Sequence, residues 1–171
     1  MHKIGLFYGT TTGNTEEVAR ILAQELENVG LDVDMYDVAD TDLQTMAHYD
    51  RMILVSPTWS RGSLPDDWET IYTDFAHLDF SGKRVAFLGL GDQVGYPDYF
   101  VDSIGKLARP VYLNGGQVVG QWPNKEYFFN RSDASEGDYF VGLAIDQDNE
   151  DFLTKDRIRA WVADLKKQFA D

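Results

Sequence analysis

A loop of glycines and hydroxyls, Gly9-Thr10-Thr11-Thr12-Gly13-Asn14-Thr15, is the stretch of this sequence best suited to chemistry. It follows a short apolar run, residues 3–8, and precedes a helical pattern that begins at Glu16. Backbone N–H groups at the start of a helix favour a bound anion, as does the helix dipole, and threonine hydroxyls add further donors. The loop therefore predicts an anion site built mainly from neutral donors.

The loop lacks the signatures of two larger nucleotide sites. Neither the triphosphate pattern Gly-x-x-x-x-Gly-Lys-Ser/Thr nor the dinucleotide pattern Gly-x-Gly-x-x-Gly is present. What remains suits one terminal phosphate. The same residues also fit an ordinary strand-to-helix turn, in which Asn14 caps the helix and Glu17 completes a capping box.

Length and composition narrow the possible classes of protein. The 171 residues suit one domain, and the net charge of -14, from 29 acids against 15 bases, argues against nucleic acid as a partner. Basic protein surfaces remain natural partners, although simple solubility explains the acidity equally well.

The chain has no cysteine, its three histidines lie far apart in sequence, and no apolar run approaches the ~20 residues of a membrane span. Because the first residues enter a strand directly, we expect no secretory signal and a cytoplasmic location.

Hydrophobic periodicity alternates between strands and helices along the whole chain. The predicted strands cover residues 3–8, 31–38, 51–56, 83–90 and 117–122. The predicted helices cover residues 16–29, 42–49, 66–75, 98–113 (bent or shortened by Pro110) and about 154–169. A polar excursion, residues 123–139, interrupts the fifth strand, which resumes at residues 140–145, since two adjacent parallel strands would leave no room for a crossover helix. The pattern predicts a three-layer, doubly wound α/β fold with five parallel strands.

Ligands in such folds bind outside the carboxyl ends of the strands, where the strand order reverses. That rule selects three loops, at residues 10–15, 58–64 and 90–96. The second and third loops carry Trp59 and Tyr96, which could clamp a flat ring from both sides, while Gly62, Gly91 and Gly95 let backbone groups approach the ring edge. A phosphate at one end and a stacked heterocycle at the other describe a mononucleotide, and a flavin gains most from such a clamp.

The chain resembles the flavodoxins, specifically their long-chain group, from Lys3 to Phe169. The resemblance is carried by residues 4–15, 57–59, 79–83, 91–96 and 140–146, and by Arg157-Ile158 and Trp161-Val162. It implies the strand order 2-1-3-4-5, and the flavodoxins are themselves a standard example of ligand binding at the switch point of such a sheet. The excursion corresponds to the insertion of the long-chain group.

The resemblance also implies FMN as the cofactor. The implied phosphate site consists of Thr10, Thr12, Asn14 and Thr15, with backbone groups of Thr11 and Gly13. The implied ring and ribityl site consists of the stacking pair Trp59 and Tyr96, with Thr58, Ser60, Arg61, Gly62, Leu90, Gly91, Asp92 and Tyr99 around it. Asp146 is expected either near the ribityl chain or, alternatively, as one more acid in the solvated run of residues 146–151.

The function implied is that of a low-potential carrier of single electrons, working between the neutral semiquinone and the hydroquinone of FMN. A phosphate held by neutral donors, stacked aromatics and a net charge of -14 all disfavour the anionic hydroquinone. Transient partners are expected to be basic redox proteins, such as a flavodoxin/ferredoxin-NADP reductase and acceptor enzymes, with the chain itself a monomer. The steering acids are predicted to be Asp66, Asp67, Glu69, Asp92, Asp98 and Asp146.

Two other classes share this topology. A flavin-dependent NAD(P)H:quinone reductase needs an open ring face for the nicotinamide, which two stacked aromatics oppose. A phospho-acceptor signalling domain needs an aspartate at the end of the third strand, where this chain has Ser56-Pro57.

Overall fold

The structure is a computed structural model and describes residues 3–10 and 13–170. In chain order the elements are β1 (Ile4–Tyr8), α1 (Asn14–Asn28), β2 (Val33–Asp37), α2 (Leu43–Ala47), β3 (Arg51–Pro57), α3 (Asp66–Phe75), β4 (Arg84–Leu90), α4 (Asp102–Leu113), β5 (Gln117–Val118), β6 (Trp122–Pro123), β7 (Ser135–Glu136), β8 (Tyr139–Phe140), β9 (Leu143–Ile145), α5 (Gln147–Glu150) and α6 (Thr154–Gln168). None of the helices in this described part is long and apolar enough to cross a membrane.

The main sheet is parallel and has the predicted strand order. It runs β2-β1-β3-β4-β5, and β9 also pairs with β4. The first two residues of β4 pair with β5, and its last three pair with β9. β5 and β9 therefore occupy one strand position in succession, which confirms the interrupted fifth strand.

Both faces of the sheet are buried, which explains the nearly continuous apolar runs of its central strands. Phe7, Leu54 and Phe87 point into a core formed with α3 and α4. Their chain neighbours point into a second core, formed with α1 and α6. β2, at the edge of the sheet, is only partly buried along its whole length.

The excursion contains structure of its own, which the sequence did not predict. β6, β8 and β7 form a small antiparallel sheet in which Trp122 pairs with Phe140. The fifth strand was expected to reach Trp122, but its first part ends at Val118. Both Trp122 and Phe140 therefore belong to the excursion instead of the main sheet.

Helix α4 differs from its prediction at its start, and it reaches its predicted end with Pro110 inside it. It begins at Asp102 instead of Asp98, because Val101 adopts a left-handed conformation with φ 48. It continues past Pro110 to Leu113. A proline supplies no N–H to the carbonyl four residues earlier, and here the Tyr72 hydroxyl donates a 3.0 Å hydrogen bond to that carbonyl, of Lys106. The helix therefore tolerates its proline with the freed acceptor satisfied.

The backbone of the excursion lies directly against Gly105, on α4, so we expect any larger residue at this position to destabilise the protein. A Cβ at this position would come within 2.4 Å of the Asp133 carbonyl oxygen. Alanine would gain about 1 kcal/mol in helix propensity, but displacing backbone costs more. We expect Gly105→Ala to lower the free energy of unfolding by about 1–3 kcal/mol, measured by urea denaturation.

The matched control is Arg109→Ala, an exposed position one turn further along the same helix. It should leave stability within about 0.5 kcal/mol of the wild type. A Gly105→Ala variant more stable than the wild type would show that the excursion moves aside without cost.

Candidate functional site

The three predicted loops leave the same edge of the sheet, and backbone hydrogen bonds hold their first residues together. The N–H of Gly9 donates to a carbonyl of β3 at 3.1 Å. The N–H of Thr58 donates to the carbonyl of Leu90, and the N–H of Gly91 donates to that of Ile145, each at 3.0 Å. The strand pairing therefore continues into the loops and fixes their spacing.

A cleft opens between these loops, and it brings together ten of the predicted residues. Those ten are Asn14, Thr15, Thr58, Trp59, Ser60, Leu90, Gly91, Asp92, Tyr96 and Tyr99. The cleft is also lined by three residues that sequence reasoning missed: Pro57, Gln147 and Asp148. Thr10, Gly13, Arg61, Gly62 and Asp146 are described but do not line it. Thr11 and Thr12 lie outside the described residues.

At the end of the cleft formed by the first loop, Gly13 precedes the first helical residue, Asn14. Gly13 has φ 86, and no side-chain hydrogen bond from the described residues caps the helix there. The alternative interpretation, with Asn14 as cap and Glu17 as its partner, is therefore wrong. The N-terminus of α1 faces the cleft through Asn14 and the buried Thr15.

Thr10 is already engaged within its own loop. Its hydroxyl accepts the Gly13 N–H at 3.0 Å, and its N–H donates to the Asp67 carboxylate at 3.3 Å. A hydroxyl that accepts one hydrogen bond can still donate another, so the Thr10 side chain keeps a donor for an anion.

The second loop folds back on itself beside the cleft. Trp59 and Ser63 exchange two backbone hydrogen bonds, of 2.8 and 2.9 Å. This tight turn requires positive φ at Ser60 (47) and Gly62 (84). The Lys106 ammonium also donates a hydrogen bond to the Gly62 carbonyl. This geometry leaves the Trp59 side chain 50% exposed at the mouth of the cleft.

The third loop is organised by Asp92. Its carboxylate accepts the N–H groups of Val94 at 3.0 Å and Gly95 at 2.7 Å, and the Asn149 amide at 2.8 Å. Burial alone would raise the pKa of Asp92, but these hydrogen bonds outweigh it and lower the pKa below its usual value. The turn presents Tyr96, also 50% exposed, to the same cleft as Trp59.

Asp146 is fully buried and belongs to the support of the cleft instead of its surface. Its carboxylate caps α5 by accepting the Asn149 N–H at 3.0 Å, and it accepts the Gln93 N–H at 3.1 Å. It is therefore neither a solvated acid nor a lining residue, and it adds no exposed charge for partners. Gln147 and Asp148 reach the cleft because α5 begins directly after it.

Asp102 is a second buried acid, and it lies beneath the second loop. One of its oxygens accepts the Asp133 N–H at 2.7 Å, and the other lies 2.5 Å from the position that a Cβ on Gly62 would take. Burial raises the pKa of Asp102 to about 6, and the Asp133 charge adds to this, although the Asp133 N–H and the cations Lys106 and Arg131 oppose it.

Comparisons with known proteins agree on one family. The family model described as Flavodoxin matches residues 6–161. The chain is 47% identical over 169 residues to a flavodoxin of Picosynechococcus sp., covering 99% of each chain. It is 37% identical over 166 residues to Flavodoxin 1 of Escherichia coli (strain K12), covering 96% of this chain and 93% of the other. The crystal structure of Fusobacterium nucleatum flavodoxin bound to flavin mononucleotide superposes with a TM-score of 0.93 at 30% identity, covering 99% of this chain and 100% of that one.

The raised pKa of Asp102 predicts a specific pH dependence of stability. Because the folded state favours the protonated acid, the stabilisation is present below the ordinary pKa of 3.8 and is lost as pH rises through about 6. Asp102→Asn keeps an acceptor for the Asp133 N–H and removes the ionisation. We expect it to be more stable than the wild type at pH 8 by up to about 3 kcal/mol and nearly equal at pH 4, in urea unfolding.

Asp98→Asn, an exposed acid before the same helix, controls for the change in net charge and should track the wild type across this range. If the Asp102→Asn and wild-type profiles run parallel from pH 4 to 8, the buried carboxyl does not titrate as described.

Proposed function

The chain belongs to the flavodoxin family, and from this premise we propose that it binds FMN in the cleft, as one FMN-binding domain, and carries single electrons at low potential. The observation that carries the proposal is the pairing of two half-exposed aromatics, Trp59 and Tyr96, in one cleft. That cleft ends at a helix N-terminus that no side chain of the described residues caps. Stacking surfaces at one end and anion donors at the other match a flat ring joined to a phosphate.

The phosphate is assigned to the N-terminus of α1. Asn14 and Thr15 line the cleft there, and the Thr10 hydroxyl keeps a free donor. Thr11 and Thr12 are proposed to complete the same set. The side chains of these donors are neutral, and the Asp67 carboxylate, which accepts the Thr10 N–H, adds negative charge beside Thr10. The helix dipole and hydrogen bonds therefore bind the phosphate without neutralising it.

The ring is assigned to the space between Trp59 and Tyr96. Ser60, Gly91 and Asp92 line the same cleft, and we propose that their backbone groups contact the ring edge. Bound FMN supplies electron transfer in two separate one-electron steps. The Ser60 carbonyl, in a left-handed turn, is proposed to accept a hydrogen bond from the ring nitrogen that gains a proton on reduction.

The surroundings of the cleft oppose further negative charge on the ring. Asp92 and Asp148 both line the cleft, and the net charge of the chain is -14. Burial raises the pKa of Asp148, and the neighbouring charges of Asp92 and Asp146 add to this shift. A low second potential follows from this repulsion.

Membership in the family implies transient redox partners. We propose that these are basic proteins, such as a flavodoxin/ferredoxin-NADP reductase and acceptor enzymes, which meet a monomeric chain at the acidic loops around the ring. Asp66, Glu69 and Asp98 are exposed and suited to this steering, which is salt-dependent. A cytoplasmic location stays a prediction.

The proposal predicts that the apoprotein discriminates between FMN and riboflavin, which differ only by the phosphate. Several hydrogen bonds to a charged group should make FMN bind at least about 100-fold tighter, measured by quenching of flavin fluorescence. Thr15→Val keeps the buried shape and removes one hydroxyl donor. It should weaken FMN about tenfold and leave riboflavin unchanged.

Thr70→Val, an exposed site on α3, serves as the control and should change neither affinity. Equal binding of FMN and riboflavin by the wild type would contradict the assignment of the phosphate to the start of α1. Equal loss of both ligands in Thr15→Val would point to a distorted cleft instead.

A further inference from the structure

Ser103 is a fully buried serine in the first turn of α4, and its partner across the fold, Thr58, lines the cleft. The two residues exchange two hydrogen bonds. The Ser103 N–H donates to the Thr58 hydroxyl at 3.2 Å, and the Thr58 hydroxyl donates to the Ser103 hydroxyl at 3.1 Å. Because a helix leaves its first N–H groups without partners of its own, Thr58 serves α4 as a cap from the second loop.

The direction of the second bond is set by a third group. The Ser103 hydroxyl donates in turn to the carbonyl of Ser56, in β3, at 3.4 Å. A carbonyl can only accept, so the Ser103 hydroxyl uses its one hydrogen there and offers Thr58 a lone pair. In the opposite direction, the Ser56 carbonyl would receive no hydrogen from Ser103. The relay of hydroxyl hydrogens therefore runs from Thr58 through Ser103 to Ser56.

Resting on the function proposed above, we propose that Ser103 is a positioning residue that makes the Thr58 hydroxyl an acceptor for a hydroxyl of the ribityl chain of FMN. The one hydrogen of the Thr58 hydroxyl is engaged by the Ser103 hydroxyl, and one of its two lone pairs is engaged by the Ser103 N–H. Thr58 therefore keeps a single lone pair for the ligand. Ser103 itself does not line the cleft and touches no ligand in this account.

The position of Thr58 in the sheet fits the ribityl chain, which joins the ring of FMN to its phosphate. Thr58 follows β3, and β3 lies between β1, which leads to the first loop, and β4, which leads to the third. Asn14 and Thr15 line the cleft at the start of α1, and Trp59 and Tyr96 line it at the two loops that carry the aromatics. A ligand that reaches from α1 to the aromatic pair therefore passes Thr58.

A hydroxyl that can only accept discriminates between the groups of a flavin. A ribityl hydroxyl can donate to the free lone pair of Thr58, whereas a carbonyl oxygen of the ring would set one lone pair against another. A threonine hydroxyl free to rotate would suit both groups. Fixing its direction before binding also removes the cost of ordering the side chain when the ligand arrives. The relay therefore favours the ribityl chain at this point of the cleft.

Three ligands separate the parts of the flavin in a direct test. FMN has the ring, the ribityl chain and the phosphate, riboflavin lacks the phosphate, and lumiflavin lacks both the phosphate and the ribityl chain. Ser103→Ala keeps the N–H bond to Thr58 but leaves the Thr58 hydrogen without its acceptor. It should weaken FMN and riboflavin alike, by about threefold to tenfold, and leave lumiflavin unchanged, measured by quenching of flavin fluorescence.

A double-mutant cycle tests whether Ser103 acts through Thr58. Thr58→Val removes the acceptor and should weaken FMN and riboflavin at least as much as Ser103→Ala does. Adding Ser103→Ala to Thr58→Val should change neither affinity further, because no hydroxyl remains to be oriented. Ser103→Cys keeps a side chain of similar shape but has a weak donor and acceptor, so it should reproduce the loss of the alanine variant and separate the hydrogen bond from a cavity.

Ser135→Ala is the matched control. The Ser135 hydroxyl accepts the Asn124 amide at 3.0 Å in the small antiparallel sheet of the excursion, and Ser135 does not line the cleft. The variant therefore loses a hydrogen-bonded serine hydroxyl elsewhere in the chain, and it should bind all three ligands as the wild type does.

The proposal is overturned if Ser103→Ala weakens lumiflavin as much as riboflavin, because the effect would then not concern the ribityl chain. It is also overturned if the losses of Ser103→Ala and Thr58→Val add, or if the Ser103 variants lose thermal stability yet keep wild-type affinity for FMN and riboflavin. A wild type that binds neither FMN nor riboflavin would instead contradict the proposed function, so the two claims fail separately.

Discussion

The parallel pairing of β3 with β4 is the constraint on which the site depends. The two strands are paired at seven positions, from Arg51 with Arg84 to Pro57 with Leu90, so both strands end at the same edge of the sheet. The hydrogen bond from the Thr58 N–H to the Leu90 carbonyl extends this register into the second loop. A slip by one residue would turn every buried side chain of a strand to the opposite core. The positions of Trp59 and of the third loop therefore follow from the packing of both cores and not from the loops alone.

The excursion, which does not line the cleft, adds a second constraint on the site. It bonds to the third loop through Gln93 and Pro97, and it reaches the second loop indirectly, because Asp133 binds the Asp102 carboxylate beneath Gly62. Loops are usually the mobile part of a fold. Here two ligand loops rest against a segment that is itself packed on α4. The insertion of the long-chain group thus has a structural role at the site, which is separate from any contact with partners.

The sequence predicted those features that depend on local periodicity and on the rules of parallel sheets. Buried runs such as residues 51–56 identified the central strands, and the switch-point rule selected the three loops before any geometry was known. Features that depend on long-range contacts were missed. Asp146 sits in a run of acids, and only the meeting of α5 with the third loop buries it. The start of α4 depends on the left-handed Val101, a conformation that a β-branched residue rarely adopts and that no local pattern predicts.

We propose that this cleft holds FMN and separates its two one-electron steps. The most direct test is an absorbance titration of the FMN-loaded protein during stepwise anaerobic reduction. We expect two resolved one-electron transitions, the second at strongly negative potential, because the donors proposed for the phosphate are neutral and the cleft is lined by Asp92 and Asp148. A single two-electron bleaching, or a protein that takes up no FMN, would contradict the account.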